Sequence, residues 1–160
     1  MVVAPADTLF ALDLWHGADH AAASAALGFA LPDAGQGVAV AGGTVLRVGP
    51  RRWWLNGAGF ADLTPGDQGV VTPVGGGWTR VTLNGAGWRD LIMQSGLIDA
   101  ESAQFGSGSV AVTPLHHARC AVFVRANDIC EVFVPNSYSG HILSHWDHLG
   151  WTRVTGANPS

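Results

Sequence analysis

Five of the chain's seven histidines fall in two groups, His116-His117 and His141, His145 and His148. The second group lies in "HILSHWDH" (141–148) at i, i+4 and i+7, a spacing that places all three on one flank of a helix. Two helical histidines four residues apart can chelate a divalent cation. A hydrolytic zinc helix would also need a glutamate directly after the first histidine. Here the residues between the first two are Ile142, Leu143 and Ser144. The other reading is a polar flank beside an apolar stripe of Ile142, Leu143, Trp146 and Leu149; on that reading no metal is held. His116 and His117 are neighbours at a strand end or loop, where adjacent side chains diverge and cannot share a ligand.

Other chemistry finds few residues. Ser95 and Ser139 lack the G-x-S-x-G setting of an activated serine. Cys120 and Cys130 lie in "CAVFVRANDICEVFV" (120–134), which reads as a β-hairpin. A three-residue loop, Ala126 to Asp128, would pair Arg125 with Ile129. Val124 then faces Cys130, Val122 faces Val132 and Cys120 faces Val134, all on one apolar face. The cysteines stand four positions apart along that face, roughly 13 Å by strand rise, too far for a disulfide. They are expected to be packed core thiols. No pair of carboxylates suggests acid–base work. "LNGAGF" (55–60) and "LNGAGW" (83–88) echo each other after strands and could mark a duplicated α+β unit. Neither completes G-x-G-x-x-G, because Asp62 and Asp90 occupy the third position. No catalytic, cofactor-binding or metal-ligating residue is therefore expected on this chain.

The seven tryptophans are more informative, since this side chain is enriched in cores and at binding hot spots. In "VGPRRWWLNG" (48–57) a two-residue Gly49-Pro50 loop would pair Leu46 with Trp53, Val45 with Trp54 and Arg47 with Arg52. Trp53 then joins a core face, and Trp54 lies beside the two arginines on a surface suited to a partner. Arg47, Arg52 and Trp54 are the candidate interface. Composition points the same way. Charged residues make up 12 % of the chain, against about 25 % in ordinary soluble domains, so part of the surface is expected to be hidden by a partner.

The basic residues are eight arginines and no lysine, which removes Schiff-base and P-loop chemistry. A net charge of −4 without a basic run argues against nucleic acid. No apolar run reaches the length of a membrane span. The first twenty residues lack the basic start of a secretory signal. Cytoplasm is the expected location.

The elements that would position these residues follow from periodicity and turn signals. Residues 1–35 are Ala-rich and read as a helical or irregular segment, with a helix over 18–29. Residues 37–57 read as strands broken at Gly-Gly and Gly-Pro, and 70–85 as a further strand region. A helix over 85–96 would be capped by Asn84 and ended by Gly96. A strand over 109–115, the hairpin and a closing helix over 136–150 complete a single α+β domain spanning 36–150, an antiparallel sheet with helices packed on it. A loose tail follows, 151–160.

Three segments of this domain resemble the gamma subunit family of heterotetrameric sarcosine oxidase. A Gly-Pro-x-x-Trp-Leu strand is matched by Gly49, Pro50, Trp53 and, one position late, Leu55. A strand–Leu-x-Gly–helix corner is matched by Leu83, Asn84 and Gly85. A Val-Pro-x-Ser-Tyr turn is matched by Val134, Pro135, Ser137 and Tyr138. The likeness runs in order through residues 36–150. It implies a fold similar to the N-terminal folate-binding domain of aminomethyltransferases. It also implies an accessory role, with alpha, beta and delta subunits as partners, alpha most directly. FAD, FMN, NAD and tetrahydrofolate would sit on the partner subunits, and the complex would convert sarcosine to glycine while passing the one-carbon unit to tetrahydrofolate. In aminomethyltransferases an aspartate precedes the strand that enters the helix; here Val71 to Trp78 offers no acid. The alternatives are a gamma-like subunit of a complex acting on another N-methyl amino acid such as N-methylglutamate, a free-standing folate- or small-molecule-binding protein, and a histidine-based metalloenzyme.

Overall fold

The computed structural model describes residues 1–154. The chain forms two compact units: Asp7–Gly76, and Met1–Ala6 together with the chain from Gly77 onward. Strand β1 (Val2–Pro5) belongs to the second of these.

The Asp7–Gly76 unit holds β2 (Leu9–Leu14), α1 (His20–Leu27), β3 (Gly37–Val40), β4 (Gly43–Gly49), β5 (Arg52–Asn56) and β6 (Gly69–Pro73). The strands form one sheet in the order β3-β4-β5-β2-β6, antiparallel throughout. Alternation along β2 and β5 sends Leu12, Leu14, Trp53 and Leu55 to one face, where Ala23 and Leu27 of α1 join them in a buried cluster with Val45 and Phe60. Asp19 caps α1, its carboxylate accepting from the N–H groups of Ala21 and Ala22 at 2.8 and 3.2 Å. Gly28 ends it at φ 78°. The buried indole of Trp53 donates to the carbonyl of Pro32 at 3.0 Å, which removes the penalty of an orphaned N–H.

The second unit adds β7 (Trp78–Asn84), α2 (Trp88–Ser95), β8 (Val110–Leu115), β9 (Ala118–Ala126), β10 (Ile129–Pro135) and α3 (Asn136–His148). Its sheet runs β1-β7-β10-β9-β8, again antiparallel. Val81, Leu83, Val122, Val124, Val132 and Val134 share one face, on which Trp88, Leu91 and Ile92 of α2 and Ile142, Leu143 and Trp146 of α3 pack. Trp88 donates to the carbonyl of Asn127 and Trp146 to the hydroxyl of Ser95. Arg89 lies 4.4 Å over the Trp88 ring and donates to the carbonyls of Ala100 and Phe105, which ties the irregular segment after α2 to the helix.

The two units repeat one topology. In both, a strand leads through a helix to three hairpin-connected strands, the last of which pairs with the first: β2-α1-β3-β4-β5 and β7-α2-β8-β9-β10. Each sheet is completed by a fifth strand on the far side of the first. That strand is β6 in one unit and β1 in the other, and each directly precedes the other unit's first strand in the chain. The edge strands are therefore exchanged between the halves. The Leu-Asn-Gly-Ala-Gly echo does not follow this repeat. Its first copy lies after β5, the last strand of its β-α-β-β-β repeat, and its second after β7, the first strand of its repeat.

Antiparallel sheet with helices packed on it is present, as two mostly-β sheets rather than one. Residues 1–35 are not a helical or irregular lead-in, because β1 and β2 occupy 2–5 and 9–14 and ladder pairing overrides the helical preference of alanine there. The boundaries accordingly fall at 6/7 and 76/77, not at 35/36. α2 starts at Trp88 behind Gly87 without a side-chain cap, so Asn84 ends β7 instead of capping the helix. Leu149 is exposed at the end of α3, off the apolar stripe. Of the tail, Val154 N–H donates to the Met1 carbonyl at 2.8 Å, beside β1. Residues 155–160, the rest of that expected loose tail, lie outside the described residues.

At one point two backbones approach too closely for any side chain. Gly43, φ 153°, begins β4, and a Cβ there would collide with the carbonyl oxygen of Asn56 and stand 2.7 Å from the Phe60 ring. Gly43→Ala should lower stability by about 1–3 kcal/mol, the usual cost of overpacking. Gly76→Ala, with nothing within 4 Å of the new methyl, should stay within about 0.5 kcal/mol. Paired thermal melts of the two variants check this.

Candidate functional site

The 45–57 hairpin does not build the surface expected of it. Its loop is Pro50-Arg51, one residue later than expected, and the ladder shifts between Arg47 and Gly49, leaving Val48 as a bulge. The observed pairs are Val45 with Leu55, Leu46 with Trp54 and Arg47 with Trp53. Each partner of β4 is thus one residue later than expected, and a one-residue slip exchanges faces. Arg47 consequently joins Trp53, not Trp54. Its guanidinium lies 5.0 Å over the Trp53 ring and donates to the carbonyl of Pro50 at 2.9 Å. Trp53 is closed on a second side by an edge-on contact with His20. Arg52 does share a face with Trp54, where its guanidinium grips Asp13 through two bonds of 2.6 and 2.9 Å. Trp54 is only 7 % exposed, between Leu46 and Ala11 in the ladder. Of the three candidate interface residues, Arg52 remains exposed, Arg47 is half-buried and Trp54 is buried.

The structure instead brings together histidines that the sequence presents separately. His116 and His117 are the two central residues of the β8–β9 turn, with φ 46° and 70°. Such turns need positive φ at both positions and usually use Asn-Gly. Histidine tolerates this region better than most side chains, yet two in succession store about 1–3 kcal/mol each. The turn is anchored by the His116 N–H donating to the Ser95 carbonyl at 2.9 Å. Its ring meets α3 edge-on, with centroids 4.2 Å from His145 and 6.2 Å from His141. His116 Nε2 is buried without a hydrogen-bond partner. Burial, and after it the charges of His145, His141 and His117, hold the imidazole below its ordinary range. His148 is turned to its own helix, Nδ1 lying 2.6 Å from the Ser144 carbonyl.

Beside this junction lies an open cavity of about 380 Å³ lined by Gln94, Ser95, Gly96, Leu97, Pro114, His116 and His117. Leu97 on its rim is 90 % exposed. Among the described residues no group of three or more ligating side chains is placed to hold a metal ion. Ser95 is buried and occupied, its hydroxyl donating to the Leu91 carbonyl at 2.6 Å while accepting from Trp146. The cysteines are free and buried on the apolar hairpin face. Burial pushes the Cys120 thiol up to about 12 and raises Cys130 as well. The expected pairs Val124–Cys130 and Val122–Val132 are present, but a bulge at Arg125 pairs Ile129 with Ala126 and shortens the loop to Asn127-Asp128.

These features define a mostly-β, duplicated antiparallel chain with buried thiols and an engaged serine. The sarcosine oxidase gamma subunit family matches residues 13–149, and the chain belongs to that family. Comparison with curated proteins finds no match. Among solved structures, the fold is similar to a chain of the heterotetrameric sarcosine oxidase from Corynebacterium sp. U-96 in complex with pyrrole 2-carboxylate. The TM-score is 0.74 at 19 % identity, over 96 % of this chain and 86 % of that one.

Two outcomes follow from the hairpin and the thiols. Trp53→Ala and Trp54→Ala should both destabilise the free chain by roughly 3–5 kcal/mol, because both rings are buried. Arg52→Ala, losing an exposed ion pair, should cost at most about 1 kcal/mol. Denaturant melts decide this, and a Trp54→Ala melt like that of the parent chain would contradict the burial. Separately, neither thiol should react with a disulfide reagent at about pH 8 until denaturant is added, since the thiolate is the nucleophile.

Proposed function

We propose that this chain is the accessory gamma subunit of a heterotetrameric sarcosine oxidase. The family match over residues 13–149 carries the reading, and the similar fold of a chain from such a complex supports it. The complex oxidises the N-methyl group of sarcosine, releases glycine and transfers the one-carbon unit to tetrahydrofolate in the cytoplasm. Its alpha, beta and delta subunits are the partners, alpha most directly, and they carry FAD, FMN, NAD and folate. The fold is proposed to be that of the N-terminal folate-binding domain of aminomethyltransferases with the folate chemistry removed. The aspartate of those enzymes has no counterpart in Val71–Trp78, where β6 ends and the backbone turns through Gly75–Gly77. This chain's residues therefore do not fit folate catalysis, and no chemical step is assigned to them. What the chain supplies is surface, and its low charge is consistent with part of that surface being covered.

Co-expression with the genomic neighbours tests the proposal. A flavin-coloured complex that retains this chain and turns over sarcosine is the expected result. A complex preferring N-methylglutamate would move the assignment to the paralogous dehydrogenase, and a stable colourless monomer that binds folate would replace it with a free-standing binding protein. Within the assembled complex, single alanine replacements of His117, His141, His145 and His148 should leave turnover within about tenfold. A loss above about a thousandfold with assembly intact is typical of a removed catalytic group and would end the accessory reading.

A further inference from the structure

The junction of α2, the β8–β9 turn and α3 brings the His116 imidazole against two further imidazoles. His116 meets His145 and His141 on α3 through ring contacts. From its own turn it is joined by His117, and at the end of α2 the Ser95 carbonyl accepts its N–H. Among the described residues, the charges that act on His116 are those of His145, His141 and His117. No carboxylate figures among them. The ring nitrogen Nε2 is buried and unpaired. The turn itself is in a conformation that histidine adopts only when its surroundings hold it there.

We propose that His116, His141 and His145 form an acid-sensitive latch, which pins the β8–β9 turn to α3 while the imidazoles are neutral and releases it when they are protonated. Neutral rings pack edge to face. Two protonated rings at this separation repel, and a charged ring must also regain water that the packed arrangement excludes. Release lets the turn leave its positive-φ conformation. Because His116 and His117 line the cavity rimmed by Leu97, it also changes the wall of that cavity.

The direction with pH follows from the ionisation of His116. The packed state holds the imidazole below its ordinary range, so the open state binds the proton more tightly. The latch is then fully closed above the ordinary value near about 6.5 and is lost as the pH falls through and below it.

Hydrogen exchange and ring titration on the full-length chain test the latch. The His116 amide, bonded to Ser95, should lose about tenfold or more of its protection between about pH 7.5 and about pH 5.5, after correction for intrinsic rates. The His141→Gln/His145→Gln double variant cannot accumulate charge on α3 and should lose less than about twofold over the same range. His148→Gln, outside the ring contacts, should behave as the parent chain. Unchanged protection in the parent chain, or an equal loss in the double variant, overturns the proposal. Should the double variant fail to fold, the titration of the His116 ring in the parent chain decides. A midpoint below the ordinary imidazole value supports the latch, and one at or above it overturns it.

Discussion

Each sheet is closed by a strand that lies far along the chain from its partner, and much else in the molecule follows from that. β1 pairs with β7 across some seventy intervening residues, and β6 pairs with β2 across a helix and three strands. Each fifth strand satisfies the backbone groups along the outer side of a first strand, which would otherwise be exposed as an unpaired edge. The segments that do this are short, and each runs directly into the opposite unit. Closing either sheet therefore requires segments distant in sequence to meet, a non-local demand that slows folding. Within each unit the helices cover the apolar face that the five paired strands present, α1 in one and α2 with α3 in the other.

Tryptophan supplies much of the bulk on those faces. Trp53, Trp88 and Trp146 are completely buried, and each indole N–H finds an acceptor. That pairing is what makes so polar a tip tolerable inside a core. It also links elements that sequence distance separates. Trp146 on α3 reaches Ser95 on α2, and the backbone carbonyl of the same Ser95 receives the His116 N–H. One serine thus joins three elements at the histidine junction, with its hydroxyl fully used in structure.

Much of the reactive side-chain inventory is committed to structure. The cysteines are held as thiols by burial. Arg52 is committed to Asp13 and Arg47 to the Trp53 ring and the Pro50 carbonyl. At the histidine turn, unusual backbone conformation and a crowd of imidazoles coincide. Such strain persists only where the surrounding structure holds it in place.

By itself the sequence determined the elements whose signal is local. Alternation in 120–134 fixes which residues share the hairpin face, because the period of a strand is two and a wholly apolar set can only point inward. Gly37–Asn56 is punctuated by glycine and proline where its strands end, and the apolar stripe of 141–146 marks α3. The Gly-Pro, Leu-Asn-Gly and Val-Pro-Asn-Ser-Tyr segments were enough to reach the family. Tertiary structure alone decided the register at Trp53-Trp54, since a single bulged residue, Val48, moves Arg47 to the other tryptophan and no local preference places a bulge. It also decided the exchange of β1 and β6, because an edge strand is chosen by which ladder is left open and not by its own four or five residues. Likewise it decided that His116 would meet His141 and His145: a turn and a helix some twenty-five residues apart are brought into contact only by the sheet on which both rest.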